Sequence, residues 1–289
     1  MEFHLFLPQM RLTMDAIVDR AQAAEAAGFS GIAFMDHLAP PLAEDKPMYE
    51  ALATAGWVLA RTARLSVGHL VLCDAFRHPA VLAREAATLD HASGGRFELG
   101  IGAGSVADEL TRFGVDVGRR RVSRLAETLE VMQLLWSGER VDYDGEFHHL
   151  SGAQQVPAPT RRIPIVIGGT GPRLLALVAR HADWWNLPGN QAGRLAELRG
   201  AVGGARVSLQ TIVALVADEA RREEVMTTAE RRFGWAAAGP AFAAGSGAEL
   251  VEHFAALGQG GVERCYAWFT DFASVETLAG FGAEVIAKL

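Results

Sequence analysis

Phe3-His4-Leu5-Phe6-Leu7, then Thr13-Met14-Asp15, then Gly28, then Ile32-Ala33-Phe34-Met35: this order of signals decides the fold of the chain. The first run is short and apolar, as a strand buried on both faces must be. Thr13 can cap a helix with Asp15 in its first turn, and Gly28 stands just past the helix end. The second apolar run is another strand. Two strands joined through a helix pair in parallel, because the helix carries the chain back to the edge where the first strand began.

Outward from this unit the alternation repeats. Residues 48–63 read as a helix, residues 65–73 as a third strand, and Pro79 suits the first turn of the helix that follows. Residues 97–101 make a fourth strand. The next helix carries Val122, Leu125, Leu129, Met132 and Trp136 at steps of three and four, a stripe that must bury one face, with Arg121, Arg124 and Glu127 on its polar side. Residues 163–167, 184–187, 207–216 and 262–269 bring the strands to eight. No Pro/Gly/Ser-rich linker divides them, so the expected fold is α/β, a single (β/α)8 TIM barrel over residues 1–289, rather than two open-sheet domains. Val141-Asp142-Tyr143-Asp144-Gly145-Glu146-Phe147 has an Asp-Gly turn between alternating residues and predicts a small β-hairpin insertion at about 139–151.

Composition narrows the function. With 289 residues, 50% of them hydrophobic and 21% charged, the chain can bury a large core unaided. A net charge of -7 disfavours nucleic acid and anionic membrane as partners and leaves a small-molecule substrate. Cys73 and Cys265 are the two cysteines, without further Cys or His at metal spacing, so no metal site is expected and a reducing, cytoplasmic location fits. Met1-Glu2-Phe3-His4-Leu5 does not read as an export signal, so a cytosolic protein is expected, and no run reaches the ~18 apolar residues of a membrane span. Lys46 and Lys288 are the only lysines and neither ends a strand, which argues against Schiff-base chemistry.

In a (β/α)8 barrel the loops after the strands build the site. They carry Pro8-Gln9, Asp36-His37, Cys73-Asp74, Gly102-Ala103-Gly104-Ser105, Gly168-Gly169-Thr170-Gly171, Trp185-Asn186, Asp218 and Thr270-Asp271. Glycines at two of these ends let backbone N–H groups approach a flat ring or a phosphate, or serve only as tight turns. Gly168 to Gly171 lead into Pro172 and a helix whose free N–H groups form an anion site, with Arg173 beside it. His37 can exchange a proton near neutral pH or cap the strand, and Asp36 alternates to the other side of it unless the chain has already turned. His148-His149 read as a surface hairpin, Trp184-Trp185 as wall packing before ring stacking, and Arg119-Arg120-Arg121 as a solvated helix start.

Leu5-Phe6-Leu7-Pro8, Ala24-Glu25-Ala26-Ala27-Gly28-Phe29, Met35-Asp36-His37, His78-Pro79-Ala80, Leu89-Asp90-His91-Ala92-Ser93-Gly94-Gly95-Arg96 and Gly100-Ile101-Gly102-Ala103-Gly104 together resemble the luciferase-like oxidoreductase family, the bacterial luciferase-like TIM barrels. The resemblance covers nearly all of residues 1–190 and thins to strand and helix pattern from about Ala201. Asp-His after strand two is similar to the branch that uses coenzyme F420, which implies His37 as the catalytic residue beside the reactive carbon of a deazaflavin. It further implies a cis peptide at Leu70-Val71 in a bulged third strand under the ring, where relatives commonly carry a smaller first residue. The implied cofactor-binding set is Asp36, Leu70, Val71, Cys73, Gly102, Ala103, Gly104, Ser105, Gly168, Gly169, Thr170 and Gly171, with the last four holding a phosphate. Family relatives are usually homodimers, so a homodimer is expected.

The expected function is therefore hydride transfer between coenzyme F420 and a small organic substrate. The alternative on the same barrel is an FMN-dependent monooxygenase. Two further readings are a metal-dependent hydrolase or isomerase using Asp36, His37, Asp74 and Asp271, and a cofactor-binding homologue without a reaction. Loops 38–47 and 271–275 are expected to set substrate identity.

Overall fold

The computed structural model describes all residues except 42, 44, 105, 116, 117, 235–238 and 240. Twelve strands are seen among the described residues: β1 Glu2–Phe6, β2 Gly31–Phe34, β3 Ser66–His69, β4 Leu72–Cys73, β5 Leu99–Gly102, β6 Arg140–Asp144, β7 His149–Gln154, β8 Ile165–Gly168, β9 Trp184–Leu187, β10 Arg206–Leu215, β11 Phe242–Gly245 and β12 Arg264–Phe269. The helices are α1 Met14–Ala26, α2 Ala51–Leu59, α3 Pro79–Ser93, α4 Ala107–Arg112, α5 Arg121–Trp136, α6 Pro172–His181, α7 Leu195–Leu198, α8 Arg222–Phe233, α9 Gly247–Gln259 and α10 Val275–Glu284.

The barrel path runs β3-β2-β1-β12-β10-β9-β8-β5-β4. Every pairing along it is parallel. β3 and β4 are the two halves of one stave, broken at Leu70-Val71, whose peptide bond is cis as the resemblance implied. The ring closes where Val67 bridges Phe97: the Val67 N–H donates to the Arg96 carbonyl at 2.9 Å, and the Glu98 N–H donates to the Val67 carbonyl at 3.0 Å. Eight staves result, and the TIM barrel stands.

Strand alternation sorts the apolar side chains onto two faces. Leu5, Leu7, Ile32, Phe34, Val67, Leu99 and Ile101 join the large cluster under the helices. Phe6, Ala33, Met35 and Tyr266 point the other way and form a small cluster inside the barrel, with Met10, Met48, Leu70 and Trp268 packed on it. Helix ends follow the sequence signals: Thr13 accepts the Ala16 N–H at 3.2 Å, and α3 begins at Pro79. In α5, Leu125, Leu129 and Met132 are buried as the stripe requires.

Four details differ from the sequence reading. The second helix is Ala51–Leu59, shorter than 48–63. The hairpin of β6 and β7 runs on to Gln154 rather than ending near 151. His148 is buried rather than on the hairpin surface, and its Nε2 lies 3.1 Å from the Thr128 hydroxyl. The cause is Glu127, which accepts the N–H groups of Glu146, Phe147 and His148 and draws the hairpin tip onto α5. β11 was not foreseen; its Phe-Ala-Ala-Gly sequence has little strand propensity, and it is held because β10 outruns β9 and offers residues Ile212 to Leu215 for pairing.

Candidate active site

Strands two to five end around one cavity of about 350 Å3, the size range of small-ligand sites. Its lining includes Asp36, His37, Leu70, Val71, Cys73, Gly102, Ala103, Gly104, Gly168 and Gly169, ten of the thirteen residues singled out from sequence. Thr170 and Gly171 stand just beyond it, Gly171 as the N-cap of α6. Ser105 lies outside the described residues.

The structure separates the neighbours Asp36 and His37. Asp36 Oδ2 accepts the Cys73 N–H at 2.8 Å and Arg77 Nη1 at 2.6 Å, while Oδ1 accepts Arg77 Nη2 at 3.1 Å. Arg77 also reaches Glu50, the residue that caps α2. Burial alone would lower the Arg77 pKa, but its hydrogen bonds to Asp36 and Glu50 and their charges raise it, so the clasp is a fixed cation between two carboxylates. Asp36 thus fastens the end of β2 to β4.

His37 pairs instead with Glu109, a residue the sequence reading missed. Its Nδ1 lies 2.9 Å from Glu109 Oε2, and Glu109 Oε1 accepts the N–H groups of Leu38 at 2.6 Å and Ala39 at 3.1 Å. A carboxylate at Nδ1 selects the tautomer with its proton there, which leaves Nε2 as the acceptor. Glu109 sits on α4, a helix of six residues with no periodicity to betray it; the acidic pair Asp108-Glu109 in its first turn was the available signal. Asp74 is also buried, and burial raises its carboxyl pKa although Arg124 Nη1 is 2.9 Å away. Burial likewise pushes the Cys73 thiol up to about 11, so it remains protonated and unreactive near neutral pH.

Two glycines show that the walls are drawn close. A Cβ at Gly102 would lie 2.7 Å from Val71 Cγ2, so the Val71 side chain lies directly against the backbone of β5. Gly169 has φ +128°, and a Cβ there would overlap Leu174. Its carbonyl accepts Trp185 Nε1–H at 2.8 Å. Trp185 is therefore wall packing, fully buried, that also fixes the glycine loop. Among the described residues no group of three His, Cys, Asp or Glu is placed to hold a metal. Asp74 is given to Arg124, and Asp271 to Thr277 and the Ala273 N–H.

The model of the family described as luciferase-like monooxygenase matches residues 1–279. The chain belongs to that family. Among curated relatives of this luciferase-like chain, the F420-dependent glucose-6-phosphate dehydrogenase of Microbacterium testaceum is 35% identical over 170 residues, covering 58% of this chain and 50% of the relative. The chain thus spans about half the length of the curated relatives it matches. Two solved structures share the luciferase-like fold over 99% of the chain. One is an F420-dependent secondary alcohol dehydrogenase in complex with an F420-acetone adduct, 98% covered, with TM-score 0.83 and 19% identity. The other is a riboflavin lyase with modified FMN and riboflavin, 91% covered, with TM-score 0.84 and 14% identity.

Proposed function

We propose that this luciferase-like chain is an oxidoreductase that uses coenzyme F420 to move a hydride to or from a small organic substrate. The observation that carries the reading is the His37–Glu109 pair in the wall of a glycine-edged cavity that the cis peptide Leu70-Val71 also lines. The slot suits a flat ring: Leu70 and Val71 form one wall, Gly102 to Gly104 and Gly168-Gly169 the others. The N-terminus of α6, which Gly171 leaves without a side-chain cap, offers free N–H groups to the anionic end of the coenzyme, with Arg173 next to it. Bound there, a deazaflavin supplies a carbon that exchanges hydride and reacts poorly with oxygen.

The chain's own work is to orient and to handle the proton. Glu109 fixes the ring of His37 and stabilises its positive charge, and Nε2 takes or returns the proton of the substrate oxygen. Asp36 and Arg77 keep the strand end still. Titration of purified protein with F420 and, separately, with FMN tests the proposal: saturable change in deazaflavin fluorescence without an FMN response supports it, and the reverse pattern transfers the site to an FMN-dependent monooxygenase. That second reading is favoured by the similarity to the FMN-bearing riboflavin lyase. Among the described residues no helix is long and apolar enough to cross a membrane. We further propose a cytoplasmic homodimer, with Trp57 of α2 and Val81 of α3, both exposed, as candidate contact residues.

A further inference from the structure

We infer that the substrate is a neutral, mainly apolar molecule and not a phosphorylated or carboxylated one. The inference rests on the reading of His37 as the proton-handling residue and adds the chemistry of what approaches it.

Charge is the first observation. The acidic and basic side chains that line the cavity are Asp36, His37 and Glu109. The guanidiniums near that wall are already engaged: Arg77 by Asp36 and Glu50, Arg124 by Asp74, and Arg121, half-buried, by the Gly104 carbonyl. Lys46 pairs with Asp45 at the surface, and Arg11, at the rim beside Met10, is exposed to solvent. A phosphate or carboxylate drawn up to His37 would therefore meet the Glu109 carboxylate, and among the described residues no Arg or Lys side chain lines the cavity to balance it.

The second observation is what adjoins the cavity. Leu70 lines it and at the same time packs on the small cluster inside the barrel. From Leu70 the apolar surface continues over Met10, Met48 and Trp268, which are half-buried and rest on Phe6 and Met35. Phe6 and Trp268 meet edge to face at 5.3 Å. Gln9 holds this wall in place, donating to the Met35 carbonyl at 2.6 Å and accepting the Met35 N–H at 3.2 Å. Unbranched methionines beside a rigid indole make an adaptable surface suited to alkyl or ring carbons, and among these side chains the Trp268 indole N–H is the single strong donor, too few for the several hydroxyls of a sugar. Met35, beneath this surface, and His37 are two positions apart, so the surface that would receive the carbon skeleton begins beside the residue that would receive the reacting oxygen.

Calorimetric titration of the F420-loaded protein with cyclohexanone, with the same ring bearing a carboxylate, and with glucose 6-phosphate tests this. The neutral ketone should bind at least about tenfold more tightly than its carboxylate analogue, with glucose 6-phosphate giving no saturable heat. Trp268→Ala should weaken the ketone about fivefold while deazaflavin binding stays unchanged, and Glu109→Gln should narrow the gap between ketone and carboxylate. Equal or tighter binding of either anion, or an unchanged ketone affinity in Trp268→Ala, overturns the inference. Deazaflavin fluorescence is read separately: its failure strikes the cofactor assignment, whereas the order of the three ligands on unloaded protein still decides the substrate class.

Discussion

The two ends of the barrel both bury charge, and they do so in opposite ways. At the N-terminal ends of the strands, Arg264 donates to Glu2 at 2.9 Å, to Glu98 at 2.7 Å and to the Tyr266 hydroxyl at 3.2 Å, and its guanidinium lies 3.8 Å from the ring centre of Trp184. Burial opposes its charge, and Tyr266, Glu98 and Glu2 restore it. Each group there answers another, and nothing is left to react. At the C-terminal ends, Glu109 answers only one nitrogen of His37 and the ring reaches an open cavity. Complete pairing makes a plug; one pairing left open makes a site.

If that contrast holds, the two ends respond differently to mutation. Arg264→Ala should have the largest effect, about 3–5 kcal/mol of stability, because it strands Glu98 without its partner and leaves Glu2 with Arg206 alone; a denaturant titration measures it, and a change below 1 kcal/mol would make the plug ornamental. His37→Ala should lower kcat about a hundredfold, equivalent to roughly 2.7 kcal/mol of barrel-top catalysis, with deazaflavin affinity nearly unchanged. Wild-type kinetics in that variant would remove His37 from the chemistry. Gly169→Val should behave in the opposite sense, weakening cofactor binding about tenfold through backbone strain of roughly 1–3 kcal/mol while sparing the bound enzyme's turnover. Fluorescence titration beside steady-state kinetics separates the two.

The smallest effect is one of pH. Burial lowers His69 from an ordinary 6.5 to about 4, and burial also takes His148 to about 4. The unfolded chain accepts these protons near 6.5 and the folded chain only near 4. Stability therefore declines as pH falls through that window and levels off below it. Thermal melts from pH 7 to 4 should show the decline, and His69→Phe, which keeps a ring against Phe97, should reduce it by the His69 share while the His148 share remains.

Much of this architecture is legible in the sequence. Alternating strands and helices follow from apolar runs punctuated by Thr13, Gly28 and Pro79, all local signals. His37 and the two glycine loops followed from the rule that strand ends build the site. What stayed hidden was non-local. Glu109 meets His37 across a sequence gap of 72, and its helix is too short to show a period. Arg264 meets Glu2 across 262 residues. β11 is a strand only because a neighbour outlasts its own partner, and His148 is buried only because Glu127 gathers the hairpin tip.

The clasp of Arg77 on Asp36 and Glu50 also frames a loop. Those two carboxylates are the bookends of the segment from 37 to 49, and one guanidinium holds both, while Glu109 grips the segment's first N–H groups. The stretch between is thus a cassette clipped in at both ends. Changes in the stretch beyond Ala39 should leave His37 in place, because the groups that hold its end of the segment, Asp36 and Glu109, belong to the end of β2 and to α4 and not to the loop itself.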